Sequence, residues 1–215
     1  MRIRLLLLLL AQSITFLGFA QGEFEPETSI GLKLGPNISN VNFAPTIAQN
    51  LNYGYLAGIT FKHIQEKNLG IQLELNYLQA GWNEIVESTQ TYSRRLNYLQ
   101  FPLMTHLNFG KKKLRFFINV GPYLAYLTSN SETIKNISEE QFKSHYNKVI
   151  VNEIETGFCL GLGLTQLTNF GIFQLEFRGN TGLINLFEET IGTPFKSAKN
   201  LTAEVTLSYS LAIKR

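Results

Sequence analysis

Eight charged residues share their parity along the chain with glycines, threonines and neutral amides: Lys33, Lys62, Arg115 and Arg178, and Glu74, Glu155, Glu176 and Glu204. They are the side chains best placed for chemistry. Four of each sign suit mutual ion pairing, and two glutamates within reach of one substrate would suit general acid and base work. The rest of the inventory is thin. All 16 acidic residues are glutamate, so chemistry that needs aspartate is missing. His63, His106 and His145 are followed two residues on by Gln65, Asn108 and Asn147, which leaves no His-x-Ser pair. Cys159 is the single cysteine and excludes both an intrachain disulfide and a thiolate zinc cluster. Gly161-Leu-Gly163 lacks the third glycine and following helix of a dinucleotide site. No spacing marks a triad. The expectation is therefore no catalytic, cofactor or metal residues, and a structural role for the eight charges.

Those charges are positioned by strands. "NLTAEVTLSYSLAIKR" at the C-terminus puts Leu201, Ala203, Val205, Leu207, Tyr209, Leu211 and Ile213 on one face, and threonines, serines and Glu204 on the other. A period of two is a strand. Seven more such segments fall at about 28–37, 52–63, 69–81, 95–109, 114–127, 153–165 and 170–180. Most are longer than the ~5–6 residues usual in soluble sheets, and near the ~9–11 that a tilted membrane strand needs. Connections alternate between long (38–51, 82–94, 128–152, 181–199) and short ("IQEKN", "GKKK", "QLTN"). Sorting long loops to one rim is the asymmetry of outer-membrane barrels, whose short turns and termini face the periplasm. One face of each segment is uniformly apolar, as in Leu69, Ile71, Leu73, Leu75 and Tyr77, while the other carries Gln72, Glu74 and Asn76, or Gly157, Gly161 and Gly163. Glycines on a crowded face point to a narrow cylinder, so the leucines face lipid.

The N-terminus agrees. Arg2 and Arg4, the apolar run from Leu5, and Gly18 and Ala20 ahead of Gln21 read as a secretory signal peptide over residues 1–20, with the barrel domain spanning 21–215. Without the signal the chain has 17 basic against 16 acidic residues, a net charge of +1 that points to no nucleic-acid partner. In the third loop, Ser138 with Gln141 and Ile137 with Phe142 form a capping box and staple, predicting a short helix at about 139–147. "NTGLINLFEE" in the fourth loop is a candidate lid. Pro102 and Pro122 fall inside strands, where each removes a ladder donor, and are expected to mark bulges.

The blocks "GLKLGPNISN", "LELNYLQAGW", "LNYLQFPLM", "FFINVGPYLAY", "TGFCLGLGL" and "FRGNTGLINL" resemble the PorT-like small outer-membrane β-barrels of Bacteroidetes. The resemblance implies an all-β, eight-stranded antiparallel up-and-down transmembrane barrel in the outer membrane of a Gram-negative bacterium, with no shared enzymatic activity. The residue types missing here also set the chain apart from omptin-like proteases and outer-membrane phospholipases. The expected function is a monomeric, non-enzymatic barrel embedded in outer-membrane lipid. It would bind another envelope component through its loops or through a periplasmic rim bearing Lys111, Lys112 and Lys113. A lipid-active enzyme or hydrophobic-ligand carrier is the alternative.

Overall fold

The computed structural model describes residues 24–87, 90–110, 113–135, 150–187 and 197–214. The expected signal peptide and the helix at 139–147 lie outside them. The strands are β1 (Glu27–Ala44), β2 (Gln49–Asn50), β3 (Asn52–Glu66), β4 (Leu69–Glu87), β5 (Gln90–Phe109), β6 (Leu114–Lys135), β7 (Ile154–Leu167), β8 (Ile172–Gly182) and β9 (Ser197–Lys214). Each long strand pairs antiparallel with its chain neighbours, and β1 closes on β9, for example through Leu34↔Leu207. The result is a ring of eight. β2 is a two-residue addition against Asn83 and Glu84 of β4. Closure leaves the long strands without a bare edge in lipid, the condition for crossing a bilayer as a sheet.

The strands are longer than their sequence pattern announced. β4 and β5 run through most of the second expected loop, β1 takes in residues 38–44, and β6 reaches Lys135. The alternation does not stop there; it inverts. On β4, Ile71, Leu73, Leu75 and Tyr77 face outward over Gln72, Glu74 and Asn76, whereas further along Leu78, Ala80 and Trp82 face inward under Gln79 and Asn83. β5 does the same in reverse chain direction, from outward Leu103 and Phe101 to inward Leu96 and Tyr92. β1 repeats it, from outward Leu32 and Leu34 to inward Val41 and Phe43. The physical reason is a change of solvent. Apolar side chains turn toward lipid where there is lipid and away from water where there is water. The crossover marks the outer boundary of the membrane, at the level where Tyr77, Leu99 and Tyr126 are register partners.

Aromatic rings bracket the apolar belt, as expected of interfacial girdles. Tyr53, Tyr55, Tyr77 and Tyr126 are exposed at the upper boundary, with the Tyr55 and Tyr77 rings 6.2 Å apart. Near the short turns, Phe109 lies 6.3 Å from Phe116, and Phe173 lies 5.1 Å from Tyr209.

The expected bulges at the prolines are absent. β5 and β6 keep one register on both sides of Pro102↔Tyr123, and β6 and β7 on both sides of Pro122↔Phe158. The lost donors are absorbed by short gaps: β4–β5 pairing skips from Leu73↔Leu103 to Asn76↔Gln100, and β5–β6 pairing from Pro102↔Tyr123 to Thr105↔Val120. Gly121, beside Pro122, allows the close approach there, since a Cβ would overlap the Leu103 carbonyl oxygen. The β5–β6 register shifts instead between Asn97 and Tyr98.

Candidate functional site

The lumen is built in layers. At its centre, β8 and β9 set Arg178 opposite Glu204 as direct register partners. β7 contributes glycines beside the large charges: Gly161 pairs with Arg178 and Gly163 with Glu176. A Cβ at Gly161 would collide with the Glu176 carboxylate, so the missing side chain is what makes room. Arg178 is fully buried. Its Nη1 and Nη2 donate to the two Glu74 oxygens at 2.8 and 2.7 Å, and its Nε and Nη2 donate to Glu176 at 3.1 and 2.7 Å. Glu204 lies 3.5 Å from the same guanidinium. Lys33, reaching in from β1, meets Glu74 at 3.0 Å, Glu176 at 3.5 Å and Glu204 at 3.9 Å. Gln72, Asn76 and Asn119 donate to the remaining carboxylate lone pairs at 2.6, 2.8 and 2.8 Å. Buried charges are costly unless paired and hydrogen-bonded, and Arg178, Lys33, Glu74 and Glu176 meet both conditions, whereas Glu204 is ion-paired but its Oε1 accepts no hydrogen bond.

Five of the eight anticipated charges therefore meet, two cations against three carboxylates. The other three lie elsewhere. Arg115 forms a two-pronged contact with Glu27, both bonds 3.2 Å, at the end where the termini and short turns gather. Lys62 donates to Gln174 at 3.1 Å. Glu155, on the far side of the central layer, accepts from the Tyr123 hydroxyl at 2.6 Å and from Asn200, which also reaches Tyr98. His106 is buried in the lumen. Its Nδ1–H donates to Asn119 Oδ1 at 2.7 Å, and its ring centre lies 5.1 Å from that of Phe117.

Above the membrane the lumen is filled by the inverted pattern. Val41, Leu78, Trp82, Tyr92 and Leu96 form an apolar core, joined from the connecting segments by Ile150, Leu186 and Phe187. Two residues of the anticipated fourth-loop lid thus lie inside this cap. Backbone bonds seat the segments: Leu186 N to Ala198 O at 2.9 Å, Val151 N to Leu186 O at 3.3 Å and Leu127 N to Glu153 O at 2.7 Å. Arg94 pairs with Glu132 at 3.1 Å while its guanidinium lies 5.8 Å from the Trp82 ring centre and 5.7 Å from that of Phe187. Trp82 donates to Glu84 at 2.7 Å. Arg94, Glu132 and Trp82 were missed because residues 82–94 and 128–152 read as loops. The signal that finds them is the swapped parity of apolar residues on β4 and β5. Glu27 stands one residue ahead of the first recognisable strand.

Among the described residues one hydroxyl meets an imidazole, Thr28 Oγ1 at 2.8 Å from His63 Nδ1, and no group of three or more His, Cys, Asp or Glu side chains is placed to hold a metal ion. A closed antiparallel ring, apolar outside over a membrane-high belt and polar within, is the architecture of a small outer-membrane β-barrel. The match to the family model described as "Outer membrane protein beta-barrel domain" spans residues 19–188, and the chain belongs to that family. It resides in the outer membrane. No curated protein matches it in sequence. Among solved structures it is similar to OprG of Pseudomonas aeruginosa, with 10% identity, 88% of this chain and 98% of that one covered, and a TM-score of 0.49. It is similar also to the E. coli Outer Membrane Protein W, with 12% identity, coverage of 88% and 100%, and a TM-score of 0.43.

Proposed function

We propose that this barrel is a non-enzymatic, monomeric envelope protein of the PorT-like kind, which binds another component of the cell envelope and conducts nothing of size through its lumen. The observation that carries the reading is the double closure of the interior, by the charged layer around Arg178 and by the apolar cap around Trp82. Eight strands leave room for little more than side chains. With the interior filled, the surfaces left for recognition are the tall walls of β4, β5 and β6, the connecting segments over the cap, and the short-turn rim. The six blocks from "GLKLGPNISN" to "FRGNTGLINL" support the PorT-like assignment.

The test is affinity purification from native membranes in mild detergent, combined with a lipid-turnover assay on the pure protein. The expected result is one envelope component in roughly stoichiometric yield and no turnover. Turnover with no stoichiometric companion would move the protein to the lipid-active alternative.

A further inference from the structure

The short-turn mouth of the lumen contains a small pocket of about 10 Å³, room for one water-sized group, that the ion pairs of the central layer leave open. Glu27, Lys62, His106, Asn108, Arg115 and Thr165 line it, on strands from around the ring. Two full cations face it and one carboxylate. That carboxylate, Glu27, is taken by Arg115. Lys62 is 4% exposed. Among the described residues it donates to the neutral Gln174 amide, and no carboxylate lies within ion-pair distance of it. A buried ammonium with only a neutral acceptor is expensive. Beside it are buried donors without a partner: the Thr165 hydroxyl, which lines the pocket, and the Nε2 of Gln174. The imidazole of His106, hydrogen-bonded to Asn119, brings no negative charge to the site.

We propose that this pocket is a binding site for a small oxyanion, a carboxylate or a phosphate, entering from the periplasm. The anion displaces the Glu27 carboxylate from Arg115, which supplies the room the small pocket lacks, and from there completes the coordination of Lys62 and takes the Thr165 hydroxyl. Charge-assisted bonds to an ammonium and a guanidinium are the strong kind, and the guanidinium fork suits either oxyanion. Glu27 acts as the chain's own stand-in for the ligand. Its part-exposed place at the first residue of β1 lets it swing away when a better anion arrives. The site is independent of whatever meets the opposite end of the barrel.

The experiment is calorimetric titration of the folded full-length barrel in zwitterionic detergent with N-acetylglycine, with inorganic phosphate, and with neutral N-acetylglycinamide as control. Both anions should bind and the amide should not. The tighter of the two identifies the source, a peptide's terminal carboxylate or a phosphate group. Lys62→Met should weaken binding about tenfold, the loss of one charge-assisted hydrogen bond. Glu27→Gln, at the edge of the fold, should tighten it about threefold, the worth of a part-exposed ion pair. Unchanged affinity in Glu27→Gln, equal binding of the amide, or no binding of either anion would overturn the proposal.

Discussion

Arg178→Ala should destabilise the barrel by roughly 3–5 kcal/mol, the cost of stranding buried charges whose partner is gone. The guanidinium makes four hydrogen bonds, two to Glu74 and two to Glu176, and an ion contact with Glu204. Without it three carboxylates share Lys33 as their remaining cation in the layer. Desolvation was already spent on all of them, so the loss is far larger than for a surface pair. The measurement is the urea midpoint of the barrel refolded into detergent or thin vesicles, with the folded fraction read as the heat-sensitive shift in gel mobility. Arg178→Ala combined with Glu74→Gln should be less destabilised than the two single losses summed, because the second change removes one stranded charge. A single-variant loss below about 1 kcal/mol, the surface-pair range, would mean that the layer is wet and loosely paired.

Leu207→Arg should cost about 2–4 kcal/mol, because the guanidinium would be held in hydrocarbon near the middle of the belt. Leu207 is 52% exposed on β9, yet its neighbour Thr206 is 2% exposed and points into the lumen. In water the opposite ranking holds: a charge at an exposed position is nearly free, and a change at a buried one is felt. Thr206→Val, which keeps the shape, should therefore be tolerated. The same unfolding measurement checks both. Equal effects, or recovery of the wild-type protein in the soluble periplasmic fraction, would contradict a lipid-facing Leu207.

The fold was legible where the chain meets lipid, because there the period of two is strict and its two faces differ in kind. Leu201 through Ile213 and Leu69 through Tyr77 are sufficient to assign inside and outside. Legibility ended at the membrane boundary for a physical reason. Past Tyr77 the apolar residues change sides, so Leu78, Ala80 and Trp82 look like a broken pattern rather than a continued strand. A single rule for which face is apolar cannot follow a strand through two solvents. Among the lumen charges, parity speaks to which side chains turn inward but cannot give height. Heights depend on strand tilt as well as register, and the side-chain contacts gather Lys33, Glu74, Glu176, Arg178 and Glu204 in one layer while Arg115 and Lys62 make theirs nearer the short turns and Glu155 nearer the cap. Pro102 and Pro122 misled for a related reason: a missing donor can be absorbed by a local gap in the ladder as well as by a bulge, and the sequence does not distinguish the two.

The central claim is that the barrel is shut by its own side chains, and recording from planar bilayers tests it most directly. Purified protein inserted at single-molecule density should give no steady conductance, since the Arg178 layer and the Trp82 cap both interrupt the lumen. A stable wild-type conductance comparable with that of general porins would contradict the filled lumen and move the function to transport.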